Sequence, residues 1–97
     1  MNVGAEYFHD LETFRERKVA GSIHCTDPDE FGEVDFWYCC PCGCSSVFPL
    51  SAGLKFKPPS GPSWEWNGSK EKPTLIPSVN HENHWHGWLT DGEWKKI

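Results

Sequence analysis

Tyr7, Phe8, Leu11 and Phe14 recur at spacings of three and four, with Glu6, Asp10, Glu12, Arg15 and Arg17 mostly between them. That period predicts an amphipathic helix over residues 5–18. Acids near its start and Arg15, Arg17 and Lys18 near its end complement the helix dipole, and Gly21 stands where a helix would stop. Beyond Gly21 the pattern changes to short β-like runs at residues 22–26, 34–39, 46–50 and 54–57, parted by turn-forming Pro, Gly and Asp. Residues 57–62, KPPSGP, are too rich in Pro and Gly for a central strand. Trp64 and Trp66 alternate onto one face before the turn dipeptide Asn67-Gly68. Residues 73–79, PTLIPSV, carry two prolines four apart and read as an edge or crossing segment. Residues 84–89 and 93–97 flank Asp91-Gly92, which predicts a C-terminal hairpin.

These elements describe one domain over residues 1–97, of α+β class. Residues 1–20 form an N-terminal helical segment. Residues 21–97 form a small, mainly antiparallel β core stapled by a zinc knuckle, in the manner of a zinc ribbon or β-tent. The composition explains the need for a staple. Only 37% of the 97 residues are hydrophobic, so a few bulky side chains, among them six Trp and six Phe, must build the core. Lys and Arg number 9 against 14 Asp and Glu, a formal net charge of −5. Sequence-independent binding to nucleic acid is thereby disfavoured, and an electrostatically recognised partner should be a protein with a basic patch. No apolar run approaches the ~20 residues that span a bilayer, and the N-terminal residues lack the positive charge of a signal peptide. The expected compartment is the cytoplasm of a bacterium or infected host cell, with no membrane partner.

The chemistry concentrates in Cys39-Cys40-Pro41-Cys42-Gly43-Cys44, four thiols in six residues. In a reducing compartment clustered cysteines hold metal more often than they form disulfides. Ligands of one zinc need sulfurs roughly 4 Å apart, closer than alternate residues of a flat strand, so the chain must bend. Pro41 and Gly43 supply the bend. A second cluster, His81-Glu82-Asn83-His84-Trp85-His86, follows about 40 residues later and offers imidazole, the usual partner of thiolate at zinc. On a strand, His84 and His86 would share a face. The candidate ligands of one structural Zn2+ per chain are therefore Cys40, Cys42, Cys44, His84 and His86. The spacing leaves open whether two cysteines join one or both histidines, or three cysteines join His86. His24-Cys25 and Cys39 read as strand and core residues, and His9 as a solvated helix residue.

The combination of CPCGC at residues 40–44, WEWNG followed by PTLIPS, and WHGWLTDGEW resembles the DUF6527 family of small phage and bacterial proteins, over residues 20–94. On that resemblance the family's W-N/D-G-N…PT-x-x-PS segment falls on residues 66–78 and its histidine before the hairpin on His86. The family often places a cysteine just before that histidine, where this chain has Asn83 and His84, and a Gly after CPCGC, where it has Ser45. The resemblance implies an accessory, host-interaction or anti-defence role, and some bacterial relatives are associated with ubiquitin-like conjugation operons. A surplus of Cys and His ligands favours a closed tetrahedral shell, so the expectation is a structural-zinc protein-interaction module without catalytic residues. The alternative is a zinc-dependent hydrolase with an open metal position, in which Glu82 or Asp91 would serve as the acid or base.

Overall fold

The computed structural model describes residues 2–59 and 61–97; Ser60, within the Pro- and Gly-rich stretch, lies outside the described residues. The chain runs β1 (Asn2–Gly4), α1 (Leu11–Arg17), β2 (Ile23–Cys25), β3 (Glu33–Cys39), β4 (Val47–Leu54), β5 (Trp64–Trp66), β6 (Leu75–His81), β7 (Trp85–Thr90) and β8 (Glu93–Lys96). All eight strands belong to one curled sheet in the order β1-β8-β7-β6-β5-β4-β3-β2. Every pairing is antiparallel except β4 with β5. The expected α+β arrangement, a four-turn helix ahead of a small β domain, is thus corrected to a mostly β fold with one seven-residue helix.

The reason lies in residues 5–8. The Ala5 amide donates to Gly92 O (2.8 Å), the Ile23 amide to Glu6 O (2.9 Å) and the Phe8 amide to Ile23 O (2.9 Å). This stretch therefore passes from the β8 end of the sheet to the β2 end, and its backbone groups are taken by non-local partners before a helix can claim them. Asp10 then starts α1, its Oδ2 accepting from the Thr13 amide (2.9 Å) and hydroxyl (2.8 Å). Phe8 and Phe14 still pack together, with Cys39 and Trp37, in a minor cluster. Their spacing reflects that shared cluster rather than one continuous helix.

The main core lies inside the curl and contains Ile23, Phe36, Leu75, Val79, Leu89 and Trp94, all fully or almost fully buried. Trp94 joins both ends of the sheet, since its Nε1 donates to Gly21 O at 2.8 Å. Trp85 meets its ring edge-on, and Tyr38 packs beside it at 5.3 Å. The expected C-terminal hairpin is present, with Asp91 (φ 47°) and Gly92 (φ 81°) both in the positive-φ conformation of a tight hairpin turn.

Two prolines mark a seam in the sheet. β5 meets β4 only along residues 52–54 and β6 only at residues 75–76. Pro49 and Pro77, which cannot donate to a ladder, fall on β4 and β6 just outside these stretches. Residues 46–50 and 54–57, expected as separate strands, are instead joined or ended around the eight-residue β4, which runs through Pro49.

Candidate functional site

The knuckle follows β3. Gly43, at φ 88°, donates its amide to Cys40 O (3.2 Å), Ser45 takes φ 67°, and the Cys40 amide donates to Ser46 O (2.9 Å). A Cβ on Gly43 would meet nothing within 4 Å, so glycine is needed there for its backbone angle rather than for space. The turn gathers Cys40, buried, with Cys42 and Cys44, both exposed. Cys39 points the other way, into the minor cluster, as strand alternation requires.

The β6–β7 turn supplies nitrogen donors. The His84 amide donates to His81 O (2.9 Å), and Asn83 takes φ 68°. The two imidazoles stack 4.3 Å apart at 8°. His81 Nδ1 lies 3.0 Å from Cys40 Sγ, His84 Nδ1 3.9 Å from Cys42 Sγ, and Cys40 Sγ 3.3 Å from Cys42 Sγ. Within Cys40/Cys42/Cys44, and within Cys44/His81/His84, the donor atoms all lie inside 4.8 Å of one another. Ligands of one tetrahedral zinc stand ~3.8 Å apart, so this donor set fits a soft divalent cation.

The electrostatics differ among the donors: without a cation Cys40 is held as the thiol, whereas Cys44 and His81 are shifted toward the forms that bind metal. Burial pushes the Cys40 thiol up to about 12, whereas the Ser46 side chain and amide pull Cys44 down to about 6. Burial, with His84 nearby, lowers the His81 pKa and so favours the neutral imidazole that a metal needs. Cys40, Cys42, Cys44 and His84 are therefore brought together, joined by His81, which the sequence reasoning had not placed among the ligands. His84 lies in the turn rather than on a strand, so it does not share a strand face with His86.

His86 lies elsewhere. On β7 it faces outward, and its Nε2 is 3.1 Å from Ser78 Oγ on β6. A local irregularity adjoins the serine. Between the pairs Leu75↔Leu89 and Val79↔Gly87, three residues of β6 (Ile76, Pro77, Ser78) stand opposite the single Trp88, and Trp64 Nε1 donates to Ser78 O at 3.1 Å. Ser78 lies two residues before Asn80, the cross-strand partner of His86, so strand alternation puts its hydroxyl on the same outward face as the imidazole, at the edge of the bulge. Ser78 is half-buried, and Ile76 and Trp88 are both exposed close by. Among the described residues no other serine hydroxyl is hydrogen-bonded to a histidine; Ser22 Oγ donates to Val19 O and Ser63 Oγ to Pro58 O. A serine within ~2.6–3.2 Å of an imidazole nitrogen has the geometry of an activated nucleophile. The sequence signal was the serine that closes PTLIPS, eight positions before His86. Those two residues become a pair only through the β6–β7 ladder.

No curated protein and no solved structure matches the chain. A family model described as the bacterial ubiquitination-like system serine protease, BubE, matches residues 9–97. This corrects the DUF6527 assignment. It equally overturns the structural-zinc interaction module, its zinc-hydrolase alternative and the phage-protein reading. With nearly its whole length matched, the chain belongs to the BubE family.

Proposed function

We propose that the chain is a serine protease acting within a bacterial ubiquitination-like system, with Ser78 as nucleophile and His86 as general base. The observation that carries this reading is the 3.1 Å contact between Ser78 Oγ and His86 Nε2 in a chain of a serine-protease family. With the Nδ1–H tautomer, Ser78 donates its hydroxyl proton to His86 Nε2 as Oγ attacks the scissile carbonyl carbon. His86 returns that proton to the departing amine, leaving an acyl ester on Ser78. A water molecule then loses a proton to His86 and attacks the ester, and the carboxylate product leaves as Oγ regains its proton. Ile76 and Trp88 offer apolar surface beside the reacting oxygen for side chains that flank the scissile bond.

The Cys/His group, on this reading, binds one zinc ion per chain. Five donors for four positions favour a closed shell, which supplies a cross-link rather than a Lewis acid. Five free cysteines suit a reducing compartment, and no helix among the described residues is long and apolar enough to cross a membrane, so we assign the protein to the cytoplasm. The net charge of −5 favours a protein substrate with a basic patch.

The test is labelling with a fluorophosphonate probe followed by peptide mass mapping. The expected adduct is on Ser78, absent in Ser78→Ala and strongly reduced in His86→Ala. A parent protein that hydrolyses its substrate equally well as Ser78→Ala would rule the assignment out.

A further inference from the structure

The reacting pair and the nitrogen donors share one hairpin. Ser78 lies three residues before His81, and His86 two residues after His84. The cross-strand pairs Asn80↔His86 and His81↔Trp85 are all that separate the two constellations. This tip of the hairpin has few ladder contacts with the rest of the sheet. β5 reaches β6 only at residues 75–76, so among the described residues 77–81 have β7 on one side and no strand on the other. The ladder is already interrupted at the bulge, which leaves Val79↔Gly87, Asn80↔His86 and His81↔Trp85 as a short two-stranded ribbon. Such a ribbon is marginally stable alone. Inward, Val79 and Trp85 of this ribbon lie in the main core, Trp85 edge-on to Trp94; the side-chain ties of its outward and turn positions are Trp64 Nε1 to Ser78 O, Phe48 against the His81 ring at 4.6 Å, and the approach of His81 and His84 to Cys40, Cys42 and Cys44.

We propose that Cys40, Cys42, Cys44, His81 and His84 are positioning residues for the Ser78–His86 pair. By clamping the hairpin tip to the knuckle through a shared zinc ion, they hold the β6–β7 register that places His86 Nε2 against Ser78 Oγ. The clamp touches neither substrate nor reacting atom. It acts through the ladder pairs Asn80↔His86 and His81↔Trp85, so a loosened tip separates serine from imidazole while the part of the core around Phe36 and Trp66, on β3 and β5, persists. This inference rests on the Ser78–His86 reading for its catalytic meaning and on the hairpin geometry for its structural content.

The experiment compares the full chain loaded with zinc, stripped with a chelator, and reloaded, alongside His84→Ala and the donor-preserving His84→Cys. Two quantities are measured: the proton contact between Ser78 Hβ and the His86 ring by nuclear magnetic resonance, and the rate of fluorophosphonate labelling at Ser78. In the stripped protein and in His84→Ala the Ser78–His86 contact should vanish while the Phe36 core resonances stay dispersed. Labelling should fall about 100-fold, the scale of an ångström-sized misplacement. Reloading the parent, or supplying zinc to His84→Cys, should restore both. Persistence of the contact without metal overturns the proposal. So does simultaneous loss of the Phe36 resonances, which would make the site a staple for the whole fold. A contact that depends on zinc in a protein never labelled at Ser78 would support the positioning role and reject the protease assignment instead.

Discussion

Strand β7 takes part in two hairpins that are held in different ways. Toward β8, the turn is the tight Asp91-Gly92 pair, the ladder runs unbroken from Gly87↔Lys96 to Thr90↔Glu93, and Trp94 and Leu89 are sealed in the core. Toward β6, the ladder is broken by a bulge, the turn holds His81 and His84, and the outward positions carry Ser78 and His86. Apolar burial secures the first hairpin. The second also buries Leu75, Val79 and Trp85 inward, but its ladder is interrupted, and on the proposed reading the Cys/His donors add a further tie beside the outward-facing Ser78 and His86. One strand thus serves as both wall and working surface, with its inward residues doing the first task and its outward residues the second.

The sharpest way to break this comparison is to damage each hairpin separately. Ser78→Ala should lower turnover by at least ~10⁴-fold, as loss of a serine nucleophile does, and leave the melting temperature within a degree or two of the parent. Trp94→Ala should do the opposite. Removing a fully buried indole and its bond to Gly21 O costs ~3–5 kcal/mol of stability, while protein that remains folded keeps its Ser78–His86 contact. Calorimetry beside a turnover assay reads both. If Ser78→Ala melted far below the parent, the outer face would be structural after all.

The two hairpins also differ in how readable they were. Asp91-Gly92 between alternating apolar residues announces its turn locally, and the structure has it. The β6–β7 hairpin is specified by distant partners. His84 looks like a strand residue until Asn83 takes a positive φ and places it in the turn. Ser78 looks like the end of a proline-rich crossing segment until the ladder sets it against His86. The three converging cysteines were legible because four thiols in six residues leave few alternatives, whereas His81 needed the turn to bring it to Cys40. The helix was overextended for the same reason: periodicity is local, but Ala5, Glu6 and Phe8 bond to Gly92 and Ile23.

Turn substitutions give a smaller, sharper comparison. Gly92 stands at φ 81°, and a Cβ there would lie 3.2 Å from Glu71 O, so Gly92→Ala should cost ~1–2 kcal/mol and lower the melting temperature. At the other turn Asn83 already occupies φ 68°, and Asn83→Gly relieves a conformational cost while adding unfolded-state entropy. Its net effect on melting should stay within ~0.5 kcal/mol. A large loss of zinc affinity in Asn83→Gly, measured by competition with a chelator, would show that the Asn side chain itself organises the donors.

The smallest expected effect concerns how a substrate approaches. The β8 side of β7 presents Lys95 and Lys96, whereas the β6–β7 hairpin carries Glu82 at its turn and faces Glu65 across the Glu65↔Ile76 pair. A substrate with a basic patch should therefore be steered toward the β6 side. Glu82→Gln and Glu65→Gln should each lower kcat/KM by about twofold at low salt with kcat unchanged, because exposed rim charges act mainly on the rate of encounter. Raising the ionic strength should remove the difference, since the Debye length shrinks from ~10 Å at 0.1 M to ~3 Å at 1 M. Lys95→Gln, on the other hairpin, should leave the rate unchanged or raise it slightly. A rate that rises with salt would indicate an acidic substrate approaching from the β8 side, and would move the recognition surface from one hairpin to the other.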